Sequence, residues 1–135
     1  SVGLSHAAEK ITLANFDVEE GGRFPFKDNF FDVITMLAVF EHIEPEKIAA
    51  VLAEIKRMLK PGGVFIMTTP CPWSDKLLRY MARLGLVSAV EIAEHKGAYG
   101  QGDIASYLKQ GGFDSVKMQF GYFEFFLNNW AIAKK

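Results

Sequence analysis

The sequence predicts an α/β fold, a mostly parallel sheet closed by a C-terminal antiparallel hairpin. Three observations predict it. Asp32–Val39 and Val64–Thr69 are short apolar runs rich in β-branched residues, the pattern of strands covered on both faces. Between them, Ile48, Val51, Leu52, Ile55, Met58 and Leu59 recur at three- and four-residue steps, one apolar stripe of a helix. Near the end, Phe113–Phe120 alternates and Tyr122–Ala133 reads as its partner, joined near Gly121.

Taken in order, Ser1–Lys10 is weakly patterned, and its best pattern is a short helix over His6–Lys10. Ile11–Phe16 reads as a short strand. Asp17–Arg23 is polar, with Gly21-Gly22 as a turn signal. Pro25–Phe31 is a loop with an Asp-Asn pair. Then comes the strand–helix–strand unit. Pro45 suits a first helical turn, where its missing N–H is no loss. Glu44 and Glu46 sit at the positive end of the helix dipole, Lys56, Arg57 and Lys60 at the negative end. Pro61-Gly62-Gly63 is the expected stop. A parallel pair with a helical crossover is a right-handed βαβ unit. Pro70-Cys71-Pro72 predicts a stiff, extended turn. Ser74 or Asp75 then caps a helix to about Leu84, with Leu77, Leu78, Met81, Ala82 and Leu84 as its apolar side. Val87–Glu94 reads as a further turn of helix and His95–Gly102 as a Gly-rich loop. Asp103 caps a short helix to Gln110, stopped by Gly111-Gly112.

The chain has 135 residues, half of them apolar, with a formal net charge of −1. This fits a single domain over residues 1–135 with a real core. The composition is that of a soluble globular protein, without the basic surface that nucleic acid requires. The lone Cys71 excludes an internal disulfide and fits a reducing, cytoplasmic setting. No apolar run reaches the roughly 18 residues of a membrane span. His6, His42, His95 and Cys71 have no zinc-site spacing, so no metal is expected. No nucleophile elbow is present. The aromatic group Phe120, Tyr122, Phe123, Phe125, Phe126 and Trp130 reads as a hairpin packed on the core rather than as a base-stacking surface.

Candidate site residues lie at strand ends. In open α/β sheets, ligands bind beyond the carboxyl ends of the strands. Leu37, Ala38 and Val39 hold that place on the first apolar run. Glu41 and His42 follow; His42 is either a general base near neutral pH or, with Glu41, an orienting group at the helix start. Cys71 and Trp73 follow the second run. Trp73 is a pocket candidate, and Cys71 reads as a small buried hydrophobe.

The stretches PFKDNFFDVITMLAVFEHI, KRMLKPGGVFIMTTP, YLKQGGFDSVKMQF and NNWAIAKK resemble the central and C-terminal parts of class I S-adenosylmethionine-dependent methyltransferases. The nearest flavour is the group acting on small molecules, lipids and quinone-like substrates. The signal is the ordered set PF-x-DN-x-FD, then Glu41-His42, then Leu59-Lys-Pro-Gly-Gly63. The resemblance implies a Rossmann-like sheet in the order 3-2-1-4-5-7-6, the seventh strand antiparallel. Ile11–Phe16 would be the third strand, Asp32–Ala38 the fourth, Val64–Thr69 the fifth, and the C-terminal pair the sixth and seventh.

The resemblance further implies S-adenosylmethionine as cofactor. Phe16 and Asp17 would contact its adenine, and Leu37–Val39 would face it. Glu41, His42, Trp73, His95 and Tyr99 would border the acceptor pocket, with His42 the catalytic candidate. The family's glycine-rich loop after the first strand, which allows close backbone approach to the cofactor, and its acid after the second strand have no counterpart here. A truncated sheet, incomplete at its N-terminal side, is therefore expected, with the fourth strand as an open edge. Either Ile11–Phe16 covers that edge or two chains pair there as a homodimer. The expected function is methyl transfer to a small-molecule or lipid acceptor. The alternatives are a non-catalytic interaction or dimerisation module and a piece of a longer enzyme.

Overall fold

The structure, a computed structural model, describes residues 16–18, 22–85 and 97–135. The expected helix over His6–Lys10, most of the strand Ile11–Phe16, and the helical turn at Val87–Glu94 lie outside these residues, as does His95. The described order is strand β1 (Phe31–Leu37), helix α1 (Pro45–Met58), strand β2 (Leu59–Pro70), helix α2 (Pro72–Arg83), helix α3 (Gln101–Gln110), and strands β3 (Met118–Phe123) and β4 (Asn128–Lys134). Short 3-10 turns span Phe40–His42 and Ser115–Lys117.

The strands form one sheet in the order β1-β2-β4-β3. This is the 4-5-7-6 order that the resemblance implies. The expected mostly parallel sheet is corrected: it is mixed, with β1–β2 parallel and both β2–β4 and β4–β3 antiparallel. The reason is the wedge position of β4, which makes every pairing on either side of it antiparallel.

Helix α1 supplies the core. Its stripe Ile48, Val51, Leu52, Ile55 and Met58 is buried against Phe65 and Met67 of β2, Ala131 and Ala133 of β4, and Ile104 and Leu108 of α3. Each such side chain contributes roughly 1.5–3 kcal/mol on burial. Pro45 stands in the first turn, as expected. The end differs, because α1 stops at Met58, ahead of Pro61-Gly62-Gly63. Those three residues instead form a bulge inside β2. The register passes from Phe31↔Leu59 to Val33↔Val64 across it. Gly62 takes φ +77°, open to glycine. A Cβ on Gly63 would lie 2.9 Å from the Lys60 carbonyl oxygen and 3.2 Å from that of Asp32.

The loop before β1 is fastened to α1. Arg57 donates to Asp28 Oδ1 at 2.7 Å, to Glu54 at 2.7 and 2.8 Å, and to the Phe26 carbonyl at 2.9 Å. Glu54 also accepts the Phe24 N–H at 2.8 Å. Asn29, at φ +54°, and Phe30 donate backbone N–H groups to the carbonyls of Arg57 and Met58. Lys135 completes the clasp, its ammonium reaching Asn29 Oδ1 and the carbonyls of Arg57 and Leu59.

Other boundaries shift. Helix α2 begins at Pro72, while Pro70 ends β2, so the two prolines bound a strand-to-helix junction rather than an extended turn. Leu77 and Leu84 are exposed rather than inward. For α3 the N-cap is Gly100, and Asp103 instead accepts the Gly100 N–H at 2.9 Å from inside the first turn. Phe113 is buried ahead of β3, which starts only at Met118. Gly121 lies within β3, and a Cβ there would meet the Trp130 ring at 2.4–2.5 Å. The turn is at Glu124–Leu127. Strand β1, expected to be covered on both faces, is covered on one, with Val33 51% and Leu37 58% exposed.

Two measurements check this packing. Gly111→Ala places a Cβ 2.5 Å from Leu52 Cβ, beside helix backbone, and is expected to cost about 1–3 kcal/mol in urea unfolding. The Arg57 cluster predicts an acid limb. Hydrogen bonds from Arg57 first, then from Arg23, hold Asp28 below its ordinary 3.8. Hydrogen bonds from Arg57 hold Glu54 below 4.5. With folded values lowered, the stabilisation is complete above about pH 4.5 and is lost as pH falls through the lowered values. Arg57→Gln is expected to flatten that limb in pH-dependent melts.

Candidate functional site at the carboxyl edge of the sheet

The site is built where β1 and β2 end side by side. Leu37 pairs with Thr68. The next residue, Ala38, leaves the strand at φ +52°, a left-handed conformation that strains a residue with a Cβ. Its N–H is held by the Thr68 carbonyl at 3.1 Å and by Thr68 Oγ1 at 3.2 Å. This turn sends the chain into the 3-10 turn Phe40–His42, anchored by fully buried Phe40. The His42 N–H closes it on the Val39 carbonyl at 3.0 Å.

Beneath the turn lies a buried polar group. Glu41 is 3% exposed and accepts the Thr69 hydroxyl at 3.0 Å. Asn129 faces Thr69 across β4 and donates to the Tyr99 carbonyl at 3.0 Å. Gly97 donates to the Glu41 carbonyl at 3.3 Å, tying the Tyr99 loop to the turn. The Tyr99 ring stands edge-on to Phe40 at 5.0 Å and to Tyr107 at 5.7 Å. Burial pushes its hydroxyl pKa up, so it stays a neutral donor. Among the described residues, Tyr99 Oη and Asn129 Oδ1 are buried without a hydrogen-bond partner.

The structure therefore gathers Leu37, Ala38, Val39, Glu41, His42 and Tyr99 of the expected residues. Thr68, Thr69 and Asn129 join them, although sequence reasoning did not select them. Their signal was position: two threonines end a buried strand, and Asn129 opens its neighbour. Phe16 lines a groove beside this group, along β1 up to Thr35 and Met36. Phe16 packs on Phe24 and Phe26 at 5.3 and 5.7 Å, and Phe26 packs on Phe31 at the amino end of β1. These rings border an apolar groove of about 280 Å³ against Val33, Ile34 and Val51. Trp73, half exposed, donates its indole N–H to the Phe126 carbonyl at 2.8 Å, joining α2 to the β3–β4 turn. Cys71 is buried, and burial raises its thiol pKa. Among the described residues no cluster of His, Cys, Asp and Glu would hold a metal ion.

A βαβ unit with an antiparallel strand wedged beside it defines a Rossmann-like α/β protein. The family model described as a methyltransferase domain matches residues 3–67. Over that span the chain is similar to a methyltransferase domain, consistent with the class I S-adenosylmethionine-dependent methyltransferases that the sequence resembles. It is 37% identical over 49 residues to the tRNA N(3)-cytidine methyltransferase METTL2 of Danio rerio, covering 36% of this chain and 14% of that protein. It is 26% identical over 129 residues to the demethylmenaquinone methyltransferase of Streptomyces griseus, covering 84% of this chain and 55% of that protein. In fold it is similar to a SAM-dependent methyltransferase from Archaeoglobus fulgidus, with a TM-score of 0.63 at 15% identity, covering 82% of this chain and 62% of that one. The chain thus spans at most about half the length of these curated relatives.

Leu37 and Val39 are exposed at the strand end and offer apolar surface. The Ala38 N–H is engaged by Thr68 and holds the turn rather than a ligand.

Two outcomes are expected. Thr69→Val removes the hydroxyl donor to buried Glu41 and is expected to cost about 1–3 kcal/mol in urea unfolding. Native Cys71 is expected to react slowly with iodoacetamide near neutral pH and rapidly once urea unfolds the chain.

Proposed function

We propose that this chain carries one side of the site of an S-adenosylmethionine-dependent methyltransferase acting on a small-molecule or lipid acceptor. The observation that supports this reading is the strained Ala38 turn, fixed at the carboxyl edge of β1 by Thr68. When bound, S-adenosylmethionine supplies an electrophilic methyl group on a sulfonium. Leu37 and Val39 give it apolar, water-excluding surface. Glu41, held by Thr69, positions the turn that carries His42. His42 is the residue of this turn suited to take a proton from an acceptor. Most of the rate gain in such a site comes from holding the reactants in line in a dry pocket.

The small-molecule reading follows the demethylmenaquinone methyltransferase, a relative matched over 84% of this chain. The tRNA methyltransferase matches over a shorter segment and makes tRNA the competing acceptor. A second reading, an interaction module that pairs with another copy, is supported by Val33 and Leu37, exposed on β1, whose outer edge no described strand covers.

Calorimetric titration of the protein with S-adenosylhomocysteine is expected to give saturable heat, weakened at least tenfold by Leu37→Asp. No heat at millimolar ligand overturns the cofactor reading for this chain. With methyl-labelled S-adenosylmethionine, label is expected in the organic-extractable fraction of a lysate; label in tRNA instead overturns the acceptor class.

A further inference from the structure

On the side of α2 and the β3–β4 turn, large apolar side chains stand in solvent. Phe125 is 93% exposed, Phe126 64%, Tyr122 48% and Trp73 47%. The hairpin aromatics, expected to pack on the core, are packed there only at Phe120. The backbone turns Phe125 and Phe126 outward. Glu124, Phe125 and Phe126 are three consecutive non-glycine residues at φ +51°, +54° and +66°. Turns of this handedness ordinarily use Asn, Asp or Gly. Two phenylalanines there are costly for both backbone and solvation, and a water-facing hairpin tip gains nothing from them.

Helix α2 continues the surface. Trp73, Leu77, Tyr80 and Leu84 follow one another by three or four residues, so they share one face, and all four are exposed. Lys76, Arg79 and Arg83 form a neighbouring stripe at the same spacing and are exposed too. The Trp73 indole on the Phe126 carbonyl, and the Tyr122–Phe126 ring contact at 5.5 Å, make tip and helix one continuous surface. The carboxylate of Glu124 is engaged by Asn128 within the turn.

An exposed apolar stripe beside a cationic stripe, with aromatic residues at its end, is the composition of a helix that lies in a membrane interface. We propose that α2 and the β3–β4 turn form a docking surface for an anionic lipid membrane. Phe125, Phe126, Leu77 and Leu84 enter the acyl boundary. Trp73, Tyr80 and Tyr122 sit at headgroup level, where amphipathic rings partition. Lys76 and Arg83 meet the lipid phosphates. The aliphatic residues on this face favour lipid over nucleic acid, because bases stack on aromatic rings and gain little from leucine. Helix α2 starts directly after the end of β2, so docking brings the candidate site to the lipid surface. The proposal goes beyond methyl transfer and stands whether or not the chain transfers methyl groups.

The test is sedimentation of the protein with vesicles of phosphatidylcholine alone or mixed with phosphatidylglycerol. The protein is expected to pellet with the mixed vesicles, to release as salt is raised, and to show a blue shift of tryptophan emission that Trp73→Phe removes. Phe125→Asn, whose new side chain tolerates the left-handed turn, is expected to weaken binding at least tenfold. Lys76→Glu with Arg83→Glu, on an exposed helix face, is expected to weaken it by a similar factor while the circular dichroism spectrum is unchanged. No pelleting with mixed vesicles, pelleting that these variants leave intact, or tighter binding to a single-stranded oligoribonucleotide than to vesicles would overturn the proposal.

Discussion

Arg57 is the fastening on which the rest of the fold depends. Its planar fork meets two carboxylates and backbone carbonyls of the incoming loop at once. Because Arg57 sits in the last turn of α1, the loop Phe24–Phe30 is held beside the point where α1 gives way to β2. Strand β1 must then start level with Leu59, and its parallel register follows. Lysine would not substitute well, since its point charge lacks the geometry to bind Asp28 and Glu54 together. Lys135 does for the carbonyl end of α1 what Arg57 does for its flank, bringing the far end of β4 to the same corner.

This corner explains why the sequence was readable. In the PF-x-DN-x-FD motif, Asp28 binds Arg57, Asn29 binds Lys135, and Asp32 binds Lys60 at 2.9 Å. Gly62 and Gly63 of the LKPGG motif make the bulge that lets β2 pass close to Asp32. Two of the three motifs that carried the family resemblance thus hold the amino-terminal corner of the sheet, at the other end of β1 from the candidate site, where the third, Glu41-His42, lies. Hydrophobic period and dipole-matched charges made the βαβ unit legible. Boundaries were misplaced where glycine or proline had a tertiary task. Gly121 reads as a turn but lies under Trp130, and Pro61-Gly62-Gly63 reads as a helix stop but is a strand bulge.

The candidate site was legible only as a location. Strand ends drew attention to Leu37–Val39 and Glu41-His42, and the structure brings these together. Thr69 and Asn129 were not legible, because their meaning depends on a pairing between strands distant in sequence. The same holds for Phe125 and Phe126. As sequence they resemble core residues; only the left-handed turn shows that they face outward.

The position of β4 bears on how the chain is assembled. It is made after every other described strand, yet it lies between β2 and β3. Strands β2 and β3 therefore have no sheet contact with each other, and each keeps a bare hydrogen-bonding edge during synthesis until β4 emerges. The sheet closes from the middle, joining residues as far apart as Gly63 and Lys135. Such non-local closure slows folding. On the ribosome it also creates an interval in which two apolar edges must be shielded, and chaperone demand is set by that interval rather than by the stability of the finished fold.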